Sequence, residues 1–72
     1  MGQEDEILHK HSVVIAGHQT SFTLENIFWE KLKVISKTEG KSLKALITEI
    51  DENRRTNLSS AIRVYILKKI EN

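Results

Sequence analysis

Gln19, Ser21 and Thr23 are the residues best placed to do chemistry, and the chemistry is hydrogen bonding rather than catalysis. In an extended chain successive side chains point to opposite faces. These three therefore share one face, and Thr20, Phe22 and Leu24 share the other. Glutamine suits adenine, and serine and threonine hydroxyls can donate to or accept from several base edges, so the polar face is a candidate for reading DNA. An ordinary solvent-facing strand would show the same alternation. His9, His11 and His18 cluster near the start, but no carboxylates stand near them at ligand spacing, so no metal is expected. Of the three, His18 is best placed for a DNA phosphate. The sequence has no Gly-rich phosphate loop, no Gly-x-Ser-x-Gly elbow, no His-Glu-x-x-His and no cysteine nucleophile. Neither an enzyme nor a cofactor is expected. Asn57-Leu58-Ser59 matches a glycosylation sequon, but without a secretion signal it reads as a helix cap.

The polar face needs elements to hold it. Residues 19–24 read as a strand. Residues 10–16, with Val13, Val14 and Ile15 in a row before Gly17, read as a second strand or extended segment. On it Ser12, Val14 and Ala16 share one face, Val13 and Ile15 the other. A lone strand leaves backbone groups unpaired. Its partner is either residues 10–16, folded back as a hairpin, or a second copy of the chain. A helix follows over about 26–39, with Asn26 as N-cap, Glu25 at its positive end and Gly40 as the C′ residue. Phe28, Leu32 and Ile35 form its apolar stripe, widened by Ile27 and Val34. Ser42 caps a second helix, 42–52, with Leu43, Leu46, Ile47 and Ile50 at helical spacing. Asn57 caps a third, 58–70, whose apolar residues cover a wide arc, as expected of a helix clasped in an oligomer. The tight Gly40-Lys41-Ser42 junction offers a helix N-terminus beside a lysine, a natural phosphate anchor.

Composition sets the frame. The chain has 72 residues, no cysteine and no proline. One domain, 10–72, is expected behind a flexible acidic start, 1–9. A domain this small buries little surface, and without disulfides oligomerisation is the favoured remedy. The formal net charge is only +1, but basic residues thread the middle of the chain. No segment approaches the ~18 apolar residues of a membrane span. Gly2 is not followed by the Ser or Thr that myristoylation needs, because Glu6 stands there. A soluble, cytoplasmic protein is expected.

With Thr20-Ser21-Phe22-Thr23-Leu24-Glu25, Phe28-Trp29 and Gly40-Lys41-Ser42-Leu43 in view, the chain resembles the ribbon-helix-helix proteins, the class of the Arc and MetJ repressors. It is similar in particular to a small stand-alone bacterial group, through Ser12-Val13-Val14-Ile15-Ala16-Gly17-His18-Gln19-Thr20-Ser21 and Asn57-Leu58-Ser59-Ser60-Ala61-Ile62-Arg63. The resemblance implies a mostly α fold with an N-terminal strand. It also implies an intertwined homodimer whose two-stranded antiparallel ribbon enters the major groove. By position, Gln19, Ser21 and Thr23 would face bases, and the backbone at Lys41, Ser42 and Leu43 would hold phosphate. Phe22, Leu24, Phe28, Leu32, Ile35, Leu46 and Ile47 would form the dimer core. Two positions depart from the pattern: the base-facing strand lacks Arg or Lys, and Asn26 stands where many relatives have proline. The third helix exceeds the minimal pattern and would add dimer surface, with Arg63 pairing an acid such as Glu49 or Asp51.

These features point to a homodimeric bacterial transcriptional regulator, repressor-like, with double-stranded DNA as partner and further assembly on DNA left open. The rival from another class is an antitoxin-like module that neutralises a protein partner.

Overall fold

The computed structural model describes residues 3–71. A 3-10 turn (Gln3–Glu6) leads into strands β1 (Leu8–Ile15) and β2 (His18–Glu25). Helices α1 (Asn26–Thr38), α2 (Leu43–Asn53) and α3 (Leu58–Glu71) follow.

The two strands form an antiparallel hairpin with Ile15 opposite His18, Ser12 opposite Ser21 and Lys10 opposite Thr23. Ala16 and Gly17 form its two-residue loop, with φ of 52° and 81°. Two consecutive positive φ values are the mark of a type I′ turn, whose twist matches that of the flanking strands. Within one chain, residues 8–15 thus supply a partner for one edge of β2. β1 also starts two residues earlier than its apolar run suggests, inside the stretch expected to be flexible. There the Ile7 carbonyl accepts from the Asn26 N–H at 2.9 Å, tying the start of the hairpin to the start of α1. Ala16 belongs to the turn, not the strand.

Asn26 is not an N-cap. It is the first helical residue, and the extended residue before it is Glu25 (φ −62°, ψ 146°), whose side chain makes no capping bond. At the other end, Gly40 (φ 68°) closes α1 as expected. The Lys41 N–H donates to the Ser36 carbonyl and the Gly40 N–H to that of Lys37, at 3.0 and 3.2 Å, the paired bonds of a Schellman motif. Ser42 caps α2 by accepting from the Ala45 N–H at 3.0 Å, and Asn57 caps α3 by accepting from that of Ser60 at 2.9 Å.

All seven expected core residues lie in one core within a single chain. Phe22, Leu24, Leu32, Leu46 and Ile47 are buried, and Phe28 and Ile35 pack against them. The core also takes Ile15, Ile50, Leu58, Ile62 and Ile66. The last three correct the expected role of α3. One of its faces is part of the core, not an added surface, while Val64, Leu67 and Ile70 on its remaining arc are exposed.

Candidate nucleic-acid interface

Because the strands pair in register, their alternation combines into two faces. The inner face carries His11, Val13 and Ile15 opposite Phe22, Thr20 and His18. The outer face carries Lys10, Ser12 and Val14 opposite Thr23, Ser21 and Gln19. All six outer residues are exposed. The structure therefore brings Gln19, Ser21 and Thr23 together as expected, and joins them to three residues of β1 that were not singled out. Lys10 matters most, since it puts a cation on a face whose own strand has none. The signal was in the sequence: a two-residue loop at Ala16-Gly17 fixes the register, and counting back along β1 reaches Lys10 opposite Thr23.

α3 stands against the edge of this face. The Thr23 N–H donates to Ser59 Oγ at 3.2 Å. One helical turn on, Arg63 Nε donates to Glu25 Oε1 at 2.8 Å, with about a third of each side chain exposed (30% and 29%). Arg63 thus pairs with Glu25, not with Glu49 or Asp51, because positions 59 and 63 lie on one side of α3 and that side meets the end of β2. Arg63's donation, and after it a backbone hydrogen bond at Glu25 itself, holds the Glu25 carboxyl below its ordinary range. Glu25 is the acid in β2's outward row, so the pair neutralises it. Lys10, Ser21, Thr23, Asn57 and Ser59 line a cleft of about 300 Å³ where the ribbon meets the start of α3.

The Gly40-Lys41-Ser42 junction is built differently from a bare phosphate anchor. The Lys41 N–H is taken by Ser36, and its ammonium sits 2.7 Å from Glu49 and 3.8 Å from Glu39. The Glu49 contact, more than any other, raises the Lys41 pKa. What stays open is the start of α2 itself: among the described residues the N–H groups of Ser42, Leu43 and Lys44 meet no acceptor. Glu39 also takes Lys69 and the Tyr65 hydroxyl of α3. The junction therefore lies beside the far half of α3, about 15 Å along that helix from Ser59 at 1.5 Å per residue.

The histidines do not converge on the polar face. His18 is exposed, but it lies beside the turn on the inner row. His11 stacks on Trp29, with ring centroids 3.8 Å apart and planes 15° apart, and lies 5.4 Å from the Phe22 ring. Its Nε2 is buried without a hydrogen-bond partner. Burial, then the neighbouring charge of His9, pushes its pKa down. Among the described residues no group of three His, Cys, Asp or Glu side chains could hold a metal ion, and no helix is long and apolar enough to cross a membrane.

A two-stranded antiparallel ribbon followed by helices is consistent with a ribbon-helix-helix domain, and the model of that family matches residues 8–70. The chain belongs to the ribbon-helix-helix family, whose members are commonly DNA-binding regulators or antitoxins. Among solved structures it is similar to an uncharacterized protein from Bordetella pertussis Tohama I. The identity is 25% and the TM-score 0.81, over 96% of this chain and 60% of that one. This chain thus spans somewhat under two thirds of that neighbour's length. No curated protein matches it.

Proposed function

We propose that this protein binds double-stranded DNA sequence-specifically as a homodimer. In this reading it is a cytoplasmic bacterial regulator of the repressor kind, with no catalytic activity of its own. The observation that carries the reading is the outer face of the ribbon. It is exposed, made of Lys10, Ser12, Val14, Gln19, Ser21 and Thr23, and free of unpaired acid because Arg63 holds Glu25. A two-stranded ribbon fits the major groove, and hydroxyls and amides on its face can meet base edges. The open amides at the start of α2 are a second group of donors that can meet backbone phosphate. The dimer is supported by the apolar residues that one chain leaves exposed, Val64, Leu67 and Ile70 among them at 47%, 49% and 56%.

The test is binding-site selection from randomised duplexes, with affinity measured across a salt series. The wild type should select a defined site and bind it less tightly as salt rises, because neutralised phosphates release counterions. Replacing Ser21 and Thr23 together by Ala should flatten the selected sequence while leaving oligomeric state unchanged. A selected site as sharp as that of the wild type would refute base reading by this face. The antitoxin-like reading draws support from the open cleft between α2 and α3, lined by Ile50, Ala61, Val64 and Tyr65 with Arg55 and Lys68. It predicts a chain that shows no salt-dependent DNA binding at all.

A further inference from the structure

We infer that Lys10, on the strand that precedes the expected reading strand, is a specificity-determining residue that donates to the O6 and N7 of a guanine. This rests on the reading of the ribbon face proposed above and names one base that the face should select. Three observations converge on it.

The first is position. Lys10 is the cross-strand partner of Thr23 on the outer face, and partners in a ladder lie about 5 Å apart. It therefore stands at the same depth as Thr23 when the face meets a groove, whereas phosphates line the groove walls beside the ribbon.

The second is freedom. Lys41, Lys69, Lys33 and Arg63 all spend their charge on carboxylates of the same chain. Among the described residues Lys10 meets no carboxylate within 4.0 Å, and it is exposed. Its ammonium is available to an incoming acceptor.

The third is the cleft. Lys10 shares it with the hydroxyls of Ser21, Thr23 and Ser59 and the amide of Asn57, all neutral groups. A ligand edge that enters meets one cation among uncharged hydrogen-bonding groups. The major-groove edge of guanine presents two adjacent acceptors, and lysine contacts to O6 and N7 are among the commonest specific contacts. Cytosine and adenine place an amino donor in the groove, which an ammonium cannot accept from.

The experiment compares binding-site selection for the wild-type chain, Lys10→Met and Lys10→Arg, with the salt dependence of affinity measured for each. Far-UV circular dichroism and urea midpoints confirm that the exposed substitutions leave the fold intact. The wild type should select guanine at one position that Lys10→Met no longer selects, with the preferences at other positions retained. Affinity for the wild-type site should fall about ten- to a hundred-fold in Lys10→Met, and Lys10→Arg should restore the guanine. Three results would overturn the inference. One is an unchanged selected sequence with affinity unchanged. Another is an unchanged sequence with a uniform loss of affinity and a salt slope smaller by about one, the mark of a phosphate contact. The third is a wild type that selects no sequence, which removes the reading of the whole face along with Lys10.

Discussion

Separating Arg63 from Glu25 should loosen the contact of α3 with the end of β2 without removing α3 from the core, and the geometry sets the size of the effect. The pair makes one hydrogen bond at 2.8 Å through Nε, with each side chain about 30% exposed. Fully exposed pairs are worth about 0.2–1 kcal/mol, and breaking a buried one costs about 3–5 kcal/mol. A single bond at this partial exposure belongs near the lower range, so the coupling should be about 1 kcal/mol. A double-mutant cycle with Arg63→Met and Glu25→Gln measures it. Met keeps an apolar stem beside Phe28, whose ring centre lies 6.0 Å from the guanidinium, so the cycle isolates the polar contact. With a urea m-value of about 1 kcal/mol per molar for a chain of this size, Arg63→Met should lower the midpoint by about 1 M. The coupling should also depend on pH with a definite sign. Arg63's donation lowers the folded Glu25 pKa. The stability it contributes is therefore complete above the unfolded carboxyl value, about 4.3. It is lost as pH falls through the lower folded value. A coupling below about 0.3 kcal/mol at neutral pH, or one that persists after the carboxyl is protonated, would refute the reasoning. The DNA arm follows: Arg63→Met leaves a bare carboxylate at the end of the reading row and should weaken binding, and adding Glu25→Gln should restore it.

His11→Phe should remove an acid-sensitive step. Because burial lowers the folded His11 pKa, the unfolded chain takes up the proton first, and stability falls as pH drops below about 6.5. The urea midpoint of the wild type should fall more between pH 7.5 and 5.5 than that of the variant; equal falls would exclude His11 as the source. Ala16→Asn should stabilise the hairpin by about 0.5–1 kcal/mol, because Ala16 sits at φ 52°, where a plain side chain is strained and Asn is favoured. A lower thermal midpoint would show that the turn is not under that strain.

The helices were legible in the sequence because their ends are written in local chemistry. Ser42 and Asn57 cap, and Gly40 terminates, through contacts within a few residues. The exposed outward face of β2 was legible for the same reason: period-two alternation is local. What was not legible depends on register and on long-range docking. Lys10 becomes part of the face only once Ala16-Gly17 fixes how β1 folds back. The fate of Arg63 turned on which side of α3 meets the sheet, and that is decided by Leu58, Ile62 and Ile66 entering the core together. The helical stripe of α3 alone could not choose, since apolar residues surround most of that helix. The Asn26 cap failed because the helix begins at Asn26 itself, with Glu25 as the extended residue before it, and the Asn26 N–H is bonded to Ile7, 19 positions away.

The docking of α3 also constrains how a second copy can join the ribbon. In an antiparallel ladder the backbone groups of alternate residues turn away from the partner strand. The Thr23 N–H, which meets Ser59, is one of these, so those of Gln19 and Ser21 face the same open edge of β2. A second copy that pairs along this edge meets Gln19 and Ser21 first, and pairing past Thr23 requires Ser59 to release it. The same three residues thus present side chains to the outer face and backbone to the open edge. Two hairpins joined there would extend one polar surface without a break, with a Lys10 on each outer strand. The two β2 strands would then lie side by side, with Lys10 of each β1 supplying the cation that the outward face of β2 lacks.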